Sequence, residues 1–428
     1  MGDELIMQKI KKFFSIVVSI YVVSSILFCN MNLTFATEKN SPINSSSDGV
    51  ILMDAISGDI LYNKNMNKPF PPASTTKIMT ALLTLENCKN LDEEATISKT
   101  CEGVDGSKIY IFEGEKIKVK NLLYALLLSS ANDCAYALAE HIGGTEEHFV
   151  EMMNNRAKAL GCKNTNFVNP HGLYDDKHRT TAHDLALIMK ELIKHEEYLK
   201  IASTPSYIIP PTNKSKENRP LWNGNKAIHT GSVNYNKFCK ASKTGYTIQS
   251  LHSYVTFAEK DGQKLIAAFV HDPNKQFYTD SKALFNYGFN TFKTDKVISK
   301  DQELFTYKVS NNKVLHFKSD SDLYITSKKN SKNNIQLPNV NFDSLNLKDK
   351  SLKQGDFIEN INIKSNNNTY TLKLISGDNY EPEHNILTDV TQNYTSTSTI
   401  LKTLCYTLIG LLLIFTMIII IKKKSKKR

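Results

Sequence analysis

The sequence predicts an α+β protein with a larger mixed domain, then a small β-rich domain, then one C-terminal transmembrane helix. Three observations lead there. Helical patterning fills much of the stretch from 74 to 195, and three consecutive strands with no helix between them follow from 240 to 271. The composition shifts at about 293 towards Lys, Asn and Ser with short apolar runs. Thr403 to Ile421 is an uncharged stretch rich in Leu and Ile.

Taken in order, Val50 to Tyr62 reads as a hairpin turning at Ser57-Gly58-Asp59, after a polar, flexible start at 37–47. Phe70-Pro71-Pro72-Ala73 leads into a helix expected from Ser74 to Glu86. Leu122–Leu128 and Asp133–Ile142 read as helices broken near Ser129-Ser130-Ala131. His148–Leu160 is a further helix stopped by Gly161, and Thr181–His195 another, with Thr181 and Asp184 spaced as a capping box. Strands are expected at Lys240–Thr247, Ser253–Lys260 and Lys264–His271, the last two joined by Asp261-Gly262. A closing helix at Lys282–Phe289 completes a domain over 48–292. Residues 295–376 form the small β-rich domain, and 377–398 read as a spacer.

Both ends carry targeting patterns. Lys9, Lys11 and Lys12 precede an apolar run from Phe13 to Leu27, and Thr34-Phe35-Ala36 offers a cleavage site, so 1–36 reads as a signal peptide. An uncleaved N-terminal anchor is the alternative. Phe28 before Cys29 is too bulky for a lipid-modified cysteine signal. At the other end the 19 residues 403–421 fit a bilayer span, and the basic tail 422–428 sets its orientation with the tail in the cytoplasm. A buried core helix is the alternative there. The expected location is the cell membrane, single-pass, with residues 37–400 outside.

The net charge is +10, but the tail supplies six of those charges and the first 36 residues one more. The remaining +3 over 37–421 is no footprint for nucleic acid, and none is expected as a partner. Five cysteines fall in the expected exterior, an odd number at irregular spacing, which argues against a disulfide framework. No Cys-x-x-Cys spacing points to zinc.

Three short motifs carry chemistry. In Ser74-Thr75-Thr76-Lys77 the i, i+3 spacing on a helix sets the Lys77 amine beside the Ser74 hydroxyl. A neutral lysine can activate a serine. A helix start and partial burial both disfavour the ammonium form, and the same helix start offers N–H groups to an oxyanion. A plain helix N-cap explains Ser74 equally well on this motif alone, and Ser310-x-x-Lys313 matches by chance in a strand-like stretch. Ser130-Ala131-Asn132 sits at a helix break, where a hydroxyl can relay a proton and an amide can hold a peptide carbonyl; Ser232-Val233-Asn234 and Ser344-Leu345-Asn346 also match. Lys243-Thr244-Gly245 occurs once, on the first of the three strands, where Lys and Thr can meet an anion and Gly permits close backbone approach.

Together, in this order, the motifs resemble the signature set of the penicillin-recognising serine enzymes. Pro72–Thr80, Ser130-Ala131-Asn132-Asp133, Asn169-Pro170-His171-Gly172-Leu173, Thr180-Thr181-Ala182 and Asn286-Tyr287-Gly288-Phe289 resemble the low-molecular-weight D-alanyl-D-alanine carboxypeptidases. The resemblance covers 48–292 and, weakly, 295–376. It implies a β-lactamase/DD-peptidase-like catalytic domain, with Ser74 as nucleophile, Lys77 as base, and Ser130 and Lys243 assisting at the leaving group. It implies that Asn132 positions substrate, and that Thr244 with its neighbours, Gly245 among them, binds the terminal carboxylate. The N–H groups of Ser74 and Tyr246 would form the oxyanion hole. Peptidoglycan stem peptides are the implied substrates and β-lactam antibiotics the implied covalent inhibitors, with no metal and no cofactor.

Two departures stand out. The family's arginine before the last helix is replaced by Asn274-Lys275-Gln276, and a lysine lacks the bidentate fork. Thr247-Ile248-Gln249-Ser250-Leu251-His252 replaces a stretch of small residues. The rivals are a serine β-lactamase, which needs a deacylating device such as a positioned glutamate, and a non-catalytic β-lactam sensor. Asn166–Thr181 contains no glutamate, and intact Ser74, Lys77 and Lys243 argue against a degenerate site.

Overall fold

A computed structural model describes residues 42–365 and 368–382, and, near the C-terminus, 402–404, 406–412, 414 and 416. The chain divides between Lys293 and Thr294 into two units.

In the first unit β1 (Gly49–Asp54) and β2 (Ile60–Lys64) form the expected hairpin. Two small two-stranded sheets follow, β3 (Glu94–Thr96) with β4 (Lys116–Lys118), and β5 (Ser206–Ile209) with β6 (Arg219–Trp222). Then come β7 (Cys239–Thr247), β8 (Leu251–Lys260) and β9 (Gln263–Asp272). The main sheet is antiparallel throughout, in the order β2-β1-β9-β8-β7. Its two-residue turn uses Asp261 and Gly262, both at positive φ, as the sequence expects.

Side-chain alternation explains why the central strands are apolar on both sides. Ile51, Met53, Ile266, Ala268 and Val270 face one core with the helices Lys77–Asn87, Val119–Leu128, Asn132–Gly143 and Ala182–Leu192. Val50, Leu52, Leu265, Ala267 and Phe269 face a second core under the helix Phe277–Thr291. Each such large side chain contributes on the order of 1.5–3 kcal/mol. The sheet is therefore a partition between two cores, and β7 at its edge carries Lys243.

Helix ends follow the sequence with adjustments. Thr181 accepts from Asp184 N, but the Asp184 carboxylate turns to Asn164 N and Thr165 rather than back to the cap, so half the capping box forms. The helix Glu146–Ala159 starts at a Thr145 cap, two residues before the expected start. The closing helix is longer than 282–289 because its first turn buries Phe277 and Tyr278.

Beyond the β3–β4 pair, three further elements are absent from the sequence reading. The helix Lys99–Gly103 is capped by Ser98, Glu196–Ala202 is a second short helix, and β5–β6 is the third. The hairpin is held by tertiary contacts: Tyr207 stacks on Tyr124 at 3.7 Å, and Arg219 grips buried Glu115 at 2.8 and 3.0 Å.

Over its described residues up to 382, the second unit is all-β apart from two short 3-10 turns, Phe342–Leu345 and Leu347–Asp349. β10 (Phe292–Ile298), β11 (Glu303–Ser310), β12 (Lys313–Ser319), β13 (Leu323–Lys328), β14 (Ile335–Gln336), β15 (Phe357–Ser365) and β16 (Asn368–Ser376) follow in sequence. β10 pairs with β13, and the rest form a sheet in the order β11-β12-β16-β15-β14. Alternate residues Leu315, Phe317, Ile361, Ile363, Leu372 and Leu374 make its core, with Phe342 stacked on Phe317 at 4.7 Å.

Among the described residues no helix is long and apolar enough to cross a membrane. Residues 405, 413, 415 and 417–421 of the expected span lie outside the described residues, as do the tail 422–428, the expected signal peptide and most of the spacer.

Candidate active site

Ser74 is not on an α-helix, as the sequence reading places it. Ala73–Thr76 is a 3-10 turn and the α-helix begins at Lys77. The reason lies one residue earlier. Ala73 has φ +49, a left-handed conformation unfavourable to any residue with a Cβ, so the chain enters the helix through a tight elbow. The elbow's carbonyls are held by the two residues between Ser74 and Lys77. Thr75 Oγ1 donates to Pro72 O and Thr76 Oγ1 to Ala73 O, each at 2.8 Å.

The i, i+3 juxtaposition survives the change of helix type. Lys77 Nζ lies 3.0 Å from Ser74 Oγ, and the lysine is wholly buried (0% exposed). Its other contacts are two oxygens at 2.6 Å, Asn132 Oδ1 and the backbone carbonyl of His171. Asn132 is oriented by its own amide, which donates to Asp105 O at 2.6 Å. Burial, then the neighbouring Lys243 cation, pushes the Lys77 amine well below its ordinary range.

The second motif sits at the expected break. Ser130 has φ +58, and its buried Oγ has no hydrogen-bond partner among the described residues. That leaves a hydroxyl free to take part in chemistry rather than in scaffolding. Asp133 supports the break from beneath: its carboxylate accepts from the N–H groups of Ile109, Ile111 and Cys134.

Lys243 is 4% exposed, and its amine, pushed down to about 7 by burial, donates to Thr244 O at 2.8 Å. Thr244 is half-buried and Tyr246 is 57% exposed. Gly245 brings the strand to the nucleophile. A Cβ there would stand 2.8 Å from both Pro72 O and Ser74 N, so only glycine permits this approach. Burial, then nearby Lys275, lowers the proton affinity of His252, whose ring packs tilted against Tyr246 at 4.5 Å. The replacement for the missing arginine thus lies beside the Tyr246 end of β7.

The central segment 166–180 closes the site's other wall. Gly172, at φ +88, presses on the elbow so tightly that a Cβ would fall 2.0 Å from Ala73 O. His171 and His178 are buried, and each accepts a backbone N–H on Nδ1, from Leu173 and Val168. Both rings are therefore neutral Nε2–H tautomers that pin loops rather than act as bases. Burial drives each down to about 3. The sequence brought Ser74, Lys77, Asn132, Lys243 and Gly245 into view. It did not bring Asp105, the packing of Gly172 on the elbow or the left-handed Ala73, because carbonyl partners and backbone strain leave no side-chain signature.

The chain is similar to several known proteins. The chain is 31% identical over 312 residues to the D-alanyl-D-alanine carboxypeptidase DacF of Bacillus subtilis, spanning 68% of this chain and 77% of that protein. It is 32% identical over 280 residues to DacA of Haemophilus influenzae, spanning 63% and 68%. The crystal structure of penicillin binding protein 5 from Haemophilus influenzae superposes with a TM-score of 0.66 at 27% identity, covering 79% of this chain and 99% of that one. The family described as D-alanyl-D-alanine carboxypeptidase matches residues 35–274, more than half the sequence, and the chain belongs to that peptidase family.

Proposed function

We infer that the chain is a serine D-alanyl-D-alanine carboxypeptidase that removes the terminal D-alanine of peptidoglycan pentapeptides. The observation that carries the reading is the buried Lys77 amine, 3.0 Å from Ser74 Oγ, with two carbonyl-type oxygens taking its other contacts. Ser74 Oγ attacks the carbonyl of the penultimate D-alanine and passes its proton to Lys77. The developing oxyanion accepts from the N–H groups of Ser74 and Tyr246. Ser130, with no competing partner, relays a proton to the departing amine, while Asn132 holds the peptide. Lys243, Thr244 and Gly245 face the terminal carboxylate, with Lys275 and His252 at its margin. Water then hydrolyses the ester on Ser74, and no metal or organic cofactor enters these steps. The same apparatus accepts a β-lactam, whose ring carbonyl acylates Ser74.

The test is D-alanine release by the purified full-length chain. A peptide ending in D-Ala-D-Ala should yield one D-alanine per molecule, and one ending in L-Ala none. Absence of release, with penicillin merely bound or rapidly hydrolysed, would favour a sensor or a β-lactamase. The central segment offers no glutamate for the latter, and Asp175 and Asp176 are exposed.

The expected location is the outer face of the cell membrane, after export by the 1–36 signal. The run 403–421 and its six flanking cations motivate the anchor. Protease added to intact cells should degrade the catalytic domain and spare a tag placed after Arg428; a trimmed tag would overturn this topology.

A further inference from the structure

The hydroxyl of Thr76 carries a single proton, and that proton is given to Ala73 O at 2.8 Å. Its oxygen therefore meets His178 Nε2, 2.8 Å away in the buried interior, as an acceptor. The Val168 N–H fixes this tautomer by donating to Nδ1 at 3.1 Å. One directed chain thus runs from the Val168 backbone through the His178 ring and the Thr76 hydroxyl to the Ala73 carbonyl.

The end of that chain matters because a peptide unit is planar. The Ala73 carbonyl and the Ser74 N–H belong to one unit, so whatever fixes the carbonyl also aims the N–H. Left-handed Ala73 would relax if released, and relaxation would rotate this plane. Gly172 bears on the same carbonyl from one side and Gly245 on the Ser74 N–H from the other. A hydrogen bond accepted by the carbonyl also polarises the N–H of its unit.

We propose that His178 is a positioning residue of the oxyanion hole, acting through Thr76 on the Ala73–Ser74 peptide plane. The proposal rests on the reading of the Ser74 N–H as an oxyanion donor. One oxyanion hole serves both tetrahedral intermediates, so a misaimed donor slows formation and hydrolysis of the acyl-enzyme alike.

The experiment uses the full-length chain and a fluorescent penicillin. His178→Ala and Thr76→Val should each lower the acylation and deacylation rate constants by a similar factor, about ten to a hundredfold. The double variant should be little worse than either, because both break the same chain. Labelling at long times should still reach the wild-type stoichiometry. Thr76→Ser, which keeps the hydroxyl, and His178→Gln, which keeps a donor and an acceptor, should recover most of the rate. Unchanged rate constants with a reduced labelled fraction would reveal a purely structural role and overturn the proposal. So would slowed acylation with unchanged deacylation. If His178→Ala fails to fold, the Thr76 pair decides alone. A wild-type chain that takes up no penicillin would remove the underlying reaction instead, an outcome distinct from either.

Discussion

Lys77→Arg should abolish acylation of Ser74 even though it keeps a cation in place. Two acceptors, Asn132 Oδ1 and His171 O, stand 2.6 Å from the amine. A neutral amine has two protons for those oxygens and one lone pair, and the lone pair then faces the Ser74 hydroxyl at 3.0 Å. A free lysine at neutral pH is neutral only on the order of one time in a thousand. Burial and the Lys243 cation remove that handicap by pulling the amine well down. A guanidinium cannot give up its proton in this range. The measurement is the second-order rate of penicillin acylation from about pH 5 to 10. Wild type should rise on the acid side as Lys77 loses its proton, and fall again as Lys243, pushed to about 7, loses the charge that meets an anion. The two buried amines titrate as a coupled pair, so the limbs report the pair. Ser74→Ala should take up no label, whereas Ser310→Ala should label normally. A Lys77→Arg chain that acylates, or a flat wild-type profile, would leave Lys77 a purely electrostatic role.

Acid should destabilise the catalytic domain through its two buried histidines. His171 and His178 are lowered to about 3 by burial, against about 6.5 in the unfolded chain. The folded state thus binds fewer protons between those values. The stability is fully present above pH 6.5 and is lost as pH falls towards 3. At pH 4.5 each ring should have cost about 2–3 kcal/mol. His171 faces Lys77, His178 and Glu146, while His178 faces Asp175, Arg179 and Lys77. Asp133, Glu146 and Asp280, raised by burial, pull the other way. Denaturant melts of wild type and His178→Gln at pH 7.5 and 4.5 separate these contributions. The variant should lose about 2–3 kcal/mol less than wild type between the two pH values. Equal losses would mean that His178 is protonated in the folded state.

Periodicity and turn chemistry made much of the framework legible. The Asp261-Gly262 turn sets the β8–β9 register, Thr181 caps its helix, and Gly161 stops another at φ +85. The site was legible where side chains carry it, as in Ser74, Lys77, Ser130, Asn132 and Lys243. What stayed hidden depends on contacts far apart in sequence. The β5–β6 hairpin is interrupted by Pro210 and Pro211 and contains Pro220, so nothing local announces it; Glu115, over a hundred residues earlier, holds its Arg219. The elbow at Ala73 leaves no local signal, because the glycines packed against it, Gly172 and Gly245, arrive from two distant segments.

Cys88, Cys101, Cys134, Cys162 and Cys239 are all free and buried, and burial raises every one of their thiols, Cys101 and Cys162 to about 12. At neutral pH they are protonated, and the thiolate is the form that oxidants and alkylating agents attack. None of these five sulfurs is joined in a disulfide. They instead act as an internal record of opening, since each becomes reactive only when the surrounding structure comes apart.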